Sequence, residues 1–127
     1  METLPSVLVS GVLFLSSGCY LRIPEDSASP YAQYVGRHAE IKKEVVIYDL
    51  GAGGRLGVPL DGWRASQKVL AVLQPGGVLE ITGVFSRRIE SEKHYYLECR
   101  YNSADVDVVF DFPADDRFMG ANHLNWK

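Results

Sequence analysis

An all-β fold, a small antiparallel barrel with room for one short helix, is what the sequence predicts. Three observations predict it: short stretches rich in β-branched and aromatic residues recur along the chain, two of them alternate with period two, and glycine- or proline-bearing turns separate them. The composition, 46% hydrophobic and 23% charged, is that of an ordinary folded domain.

Taken in order, Arg37 to Ile41 and Glu44 to Leu50 read as strands, the second built on Val45-Val46-Ile47-Tyr48. Gly51, Gly53, Gly54, Gly57 and Pro59 then crowd together, and that composition reads as a flexible loop. Asp61 to Leu73 reads in two ways. Either Asp61 caps a helix that brings Trp63, Val69, Leu70 and Leu73 to nearly one side, or Lys68 to Leu73 is a strand.

Gln74-Pro75-Gly76-Gly77 is a turn into a strong strand, Val78 to Phe85, and the polar Ser86 to Glu92 reads as the connection to the next. In Lys93 to Tyr101, alternation sets Tyr95, Leu97, Cys99 and Tyr101 on one face and His94, Tyr96, Glu98 and Arg100 on the other. Asn102 to Asp105 is a turn. Val106 to Phe112 then places Val106, Val108, Phe110 and Phe112 opposite Asp105, Asp107, Val109 and Asp111. Val78 to Phe112 is thus a three-strand meander. Pro113 to Lys127 shows no periodicity and reads as a tail that wraps the domain or frays.

SH3-like and OB-like barrels and a small β-sandwich all accommodate five or so short strands. Val72-Leu-Gln-Pro-Gly-Gly-Val-Leu-Glu-Ile81 resembles the turn-then-strand entry of SH3-like barrels, and Tyr34-Val-Gly-Arg37 fits the same outline. The resemblance rests on turn chemistry, and folds of this kind host many functions.

The N-terminus reads as an address. Val7 to Leu15 is uncharged and apolar, too short to span a bilayer but of the length of a signal-peptide core. Leu15-Ser-Ser-Gly-Cys19 follows, and it resembles the lipobox of small bacterial envelope lipoproteins. The resemblance implies a signal peptide over residues 1–18, cleavage before Cys19, and acyl chains such as palmitate on that residue. Tyr20, rather than aspartate, follows the cysteine, which by the same resemblance implies the outer membrane, facing the periplasm. The leader carries Glu2 and no Lys or Arg, and Ser16 stands at the third position before the cysteine; both depart from the usual pattern.

Residues 19–30 then read as a lipid-anchored tether and 31–127 as the barrel domain, too short for a second domain. Loss of Glu2 with the leader changes the net charge from −3 to −2. That balance, with no basic stripe, excludes a nucleic-acid partner. Lys42-Lys43 and Arg87-Arg88 read as solvated strand ends.

Few residues ask for chemistry. Val46-Ile-Tyr-Asp-Leu-Gly-Ala-Gly-Gly54 resembles the glycine turn of S-adenosylmethionine-dependent methyltransferases, but Arg55 stands where that family has a glycine, and Leu56-Gly-Val-Pro59 starts no helix. His38, His94 and His123 lack metal-ligand spacing, and in the acidic tract of Asp105, Asp107, Asp111, Asp115 and Asp116 three alternate along a strand, which reads as a solvated strand face rather than a calcium loop. No cofactor or metal is expected. With Cys19 acylated, Cys99 is a lone thiol on an apolar face.

Aromatic side chains remain: seven Tyr, five Phe and two Trp. Tyr95 and Tyr101 read as core. Tyr96, Tyr34 and Trp63 are the candidate binding residues. The expectation is a non-enzymatic, lipid-anchored periplasmic module that binds another envelope protein. A small-ligand or peptidoglycan-binding module is the alternative, and a methyltransferase-like enzyme a third reading.

Overall fold

The computed structural model describes residues 23–24, 29–60 and 68–127. The leader, Cys19, most of the tether and Trp63 lie outside the described residues. Nine strands are described: β1 (Ile23–Pro24), β2 (His38–Ile41), β3 (Val45–Gly51), β4 (Gly54–Pro59), β5 (Lys68–Leu73), β6 (Val78–Ile89), β7 (Glu92–Asn102), β8 (Asp107–Pro113) and β9 (Leu124–Trp126). A 3-10 turn at Ala32–Tyr34 and a four-residue helix at Asp116–Met119 complete the elements. The protein is all-β with one short helix.

The strands form one sheet in the order β5-β3-β4-β8-β7-β6-β2-β9, with β1 against β6. Short links force this sheet to curl. Along the order, β5 lies five strands from β6, and β3 five from β2. At about 4.8 Å per strand, each separation is about 24 Å on a flat sheet. The link from Leu73 to Val78 reaches at most about 18 Å, and that from Ile41 to Val45 about 14 Å. The sheet therefore bends until its two halves face each other. The corner is fastened where Gly76 N–H donates to Ile41 C=O and Ile41 N–H to Gly77 C=O, both at 2.8 Å. The hydrogen-bonded order stays an open path, so β5 and β9 remain edges, and one pair, β4 with β8 at Leu56 and Asp111, is parallel.

The core lies between the halves. Ile41, Val45, Ile47 and Leu73 meet Leu79, Ile81, Val84, Leu97, Cys99, Phe110 and Phe112, with Met119 and Leu124 closing one side. The alternation expected for β7 and β8 holds: Leu97, Cys99, Val108, Phe110 and Phe112 are all buried.

Two sequence expectations are corrected, and two that stood open are resolved. Gly54 to Pro59 is strand β4, paired with β3 from Val45–Pro59 to Gly51–Gly54, and only Ala52 and Gly53 form the turn. Gly51 and Gly53 have positive φ, which glycine supplies at no steric cost, and Ala52 between them also has positive φ, which an L side chain adopts only with strain. Lys68 to Leu73 is a strand, not the end of a helix. β6 continues through Ser86 to Ile89, where a connection was expected. Pro113 to Lys127 neither frays nor lacks structure: the short helix, capped by Asp115, leads into β9 on β2.

The β6–β7 hairpin turns on two residues, Glu90 and Ser91, between the paired Ile89 and Glu92. Both have positive φ, 53° and 72°, the geometry in which Asn-Gly is strongly preferred. Replacing Glu90-Ser91 by Asn-Gly is expected to stabilise the domain by about 1 kcal/mol. A higher urea midpoint at unchanged slope checks this, and an unchanged midpoint refutes it.

Candidate functional site

The loop before β2 is held rigidly. Ser29 Oγ accepts from Tyr31 N–H at 2.9 Å, and successive turn bonds run from Ala32 N–H to Ser29 C=O and from Tyr34 N–H to Tyr31 C=O. Gly36, at φ +89°, lets the chain double back, so that its N–H donates to Ile81 C=O while Arg37 C=O accepts from Ile81 N–H. Tyr31 and Tyr34 are thereby fixed against β6. On the neighbouring edge, β9 places Trp126 opposite Ala39, and the indole N–H donates to Met119 C=O at 2.9 Å.

These anchors align four rings. Trp126 and Tyr34 lie 4.6 Å apart between centroids, Tyr34 and Tyr31 6.4 Å, and Tyr31 and Tyr95 5.7 Å. All four are half-buried and pack against the core from outside it. Cations cover the ends of this arc: the Arg37 guanidinium is 5.6 Å from the Tyr34 centroid and 5.4 Å from that of Trp126, and Lys93 Nζ is 5.3 Å from that of Tyr95.

Beside the arc lies a cleft of about 230 Å³, lined among others by Tyr31, Tyr95, Tyr96, Pro113, His94 and Asp115. Burial first, and then the Asp116 and Asp115 carboxylates, raise the Tyr31 phenol above its ordinary pKa and keep it a hydrogen-bond donor. The Arg117 side chain, hydrogen-bonded to Asp115, holds that carboxyl below the usual range. His94 Nε2 lies 3.5 Å from Glu92 Oε1.

Of the residues singled out from sequence, Tyr34 stands in the middle of the arc. Tyr96 lines the cleft from the polar face of β7, its ring 5.0 Å from the Arg87 guanidinium. Trp63 and Cys19 lie outside the described residues. Trp126 was not singled out: a three-residue strand at the chain end carries no periodicity to reveal it. The glycine turn that resembles a cofactor loop joins two antiparallel strands, and no helix N-terminus follows it. Among the described residues, no group of three or more His, Cys, Asp and Glu is placed to hold a metal ion.

Cys99 is fully buried, and burial, followed by Asp111 and Glu98, pushes its thiol well above the ordinary value. The thiolate is the reactive form, so Cys99 is expected to resist iodoacetamide at pH 8 in the folded protein and to react promptly in denaturant. Equal labelling rates in both states would contradict this.

Comparison with protein-family models, with curated proteins and with solved structures returned no match.

Proposed function

We propose that the chain is a lipid-anchored binding module of a bacterial envelope, held at Cys19 and facing the periplasm from the outer membrane, that engages another envelope protein through the Trp126–Tyr34–Tyr31–Tyr95 arc. The observation that carries the binding role is the arc itself: four rigidly held, half-exposed rings in one row. Tyr and Trp give large contact areas at little entropic cost and dominate interface hot spots. The anchor rests on the apolar leader and Leu15-Ser-Ser-Gly-Cys19.

Two measurements test the two halves. Labelling with a palmitate analogue marks the wild type and not Cys19→Ser; label on neither refutes the anchor. A photo-crosslinking residue at Gln33, exposed within the arc, gives one discrete protein adduct in whole cells, while one at Asn102, at the far end of β7, gives none. Absence of an adduct from Gln33 refutes the partner.

One observation favours a second reading. The cleft, at about 230 Å³, is smaller than the usual pocket for a drug-sized ligand and is walled by tyrosines, which suits a single sugar ring of a cell-wall glycan. Co-sedimentation with peptidoglycan, lost on Tyr31→Ala, distinguishes it.

A further inference from the structure

We propose that Arg37 is the carboxylate-binding point of the aromatic arc, and that the partner presents an acidic segment to it. This rests on the partner-binding reading above and names the chemistry of the partner at that site.

Arg37 is exposed, yet its position is set on every side. Its N–H donates to Tyr34 C=O at 3.0 Å and its C=O accepts from Ile81 N–H at 3.0 Å. Its guanidinium lies over both Tyr34 and Trp126, and the indole is itself fixed by Met119. Cation–π attraction holds the guanidinium near both rings without using up its N–H donors. Among the described residues no carboxylate lies within ion-pair distance of Arg37, and its side chain donates no hydrogen bond.

Two other exposed cations do have carboxylate partners. Lys127 is paired with Glu40 at 3.3 Å and Arg117 with Asp115 at 2.8 Å. Among the described residues Arg37 is thus an exposed guanidinium without a counter-ion, set on the aromatic row that would carry the apolar part of an interface. A guanidinium can take a carboxylate in two parallel hydrogen bonds, and the two ring contacts lower the cost of ordering this one. The chain as a whole is acidic, so the attraction is local and is screened within about 10 Å at 0.1 M salt.

The test uses the ¹⁵N-labelled full chain titrated with acetylated, amidated hexaglutamate, with hexaglutamine as the neutral control. The expected result is a saturable shift of the Arg37 Nε–H and Trp126 indole N–H resonances with hexaglutamate only. Arg37→Gln should weaken that affinity at least about tenfold, with the spectrum of the fold unchanged, and Arg37→Lys should restore it only in part because an ammonium lacks the fork. Equal shifts with hexaglutamine overturn the proposal. So do shifts spread over Lys42 and Lys43 with affinity unchanged in Arg37→Gln. Tighter binding of N-acetylmuramic acid than of hexaglutamate overturns the acidic protein segment in favour of a sugar acid. Crosslinking from Gln33 that survives Arg37→Gln at full yield refutes this proposal while leaving the partner-binding reading intact.

Discussion

Asp111→Ala is expected to destabilise the domain by about 3–5 kcal/mol, the loss seen when one member of a buried ion pair is removed. Asp111 and Arg87 are each 5% exposed, and Arg87 Nη2 donates to Asp111 Oδ2 at 2.6 Å. Arg87 Nε, also buried, has no hydrogen-bond partner, so Asp111 supplies the counter-charge for a cation already incompletely satisfied. Without it, among the described residues, the guanidinium keeps only the Tyr96 ring at 5.0 Å. A domain of this size has roughly 5–15 kcal/mol of stability in all, so the variant should populate unfolded chains at moderate temperature. Arg87→Met should cost less, because the Met stem retains the packing and Asp111 has other interactions. Arg87→Met with Asp111→Leu should recover most of the stability lost in Asp111→Ala. Urea midpoints of the four proteins decide the matter, and an Asp111→Ala midpoint within about 1 kcal/mol of wild type would rule out a counter-charge role.

This pair shows where sequence reading stops. Alternation placed Asp111 correctly, between Phe110 and Phe112 and on the opposite face. The solvated position expected for Asp111 is wrong, since it is 5% exposed: alternation does not say whether a face is wet. Val46, Leu56 and Val58 lie on the face opposite the core residues Val45 and Ile47, and they too are buried, at 5%, 4% and 4%. Period two assigns a side chain to a face; what covers the face is a tertiary fact. Arg87 failed for a related reason, since Ser86-Arg87-Arg88 has the composition of a connection while the β6–β7 ladder runs through it to Ile89 and Glu92. The strands with unbroken patterns, β3, β7 and β8, were legible within a residue or two.

The candidate site was legible in fragments. Tyr34 and Tyr96 were reached from the aromatic content of the chain, Tyr96 also from its place on the polar face of β7. The arc depends on β9 pairing with β2 and on the turn fastened to Ile81, both long-range contacts without local signature. Edge β5 adds a feature that periodicity half revealed: Val69, Leu70 and Val72 are 50%, 42% and 43% exposed, and a bulge at the Ile47–Tyr48 register shift interrupts their ladder. A bulge is one device that discourages an edge strand from pairing with other chains.

Gly57 is the second site of large expected effect, and it explains why the glycine-rich stretch misled. A Cβ there would stand within 2.5 Å of Phe110 Cε2 and 2.9 Å of Ile47 Cδ1. Glycine within a strand often marks such a close approach, so Gly57 is required by packing and does not signal a loop. Gly57→Ala forces the Phe110 ring to shift and is expected to cost about 1–3 kcal/mol, and Gly57→Val more. Phe110→Leu alone leaves a cavity and costs about 1–2 kcal/mol by the lost transfer and cavity terms. Together, Gly57→Ala and Phe110→Leu should cost less than their sum, because the new methyl occupies part of the space the ring vacates. A coupling of about 1 kcal/mol or more, read from a double-mutant cycle of urea midpoints, confirms the contact. Strict additivity would mean that the Gly57 backbone and the Phe110 ring do not share that space, and the crossing of β4 beside β8 would have to be redrawn.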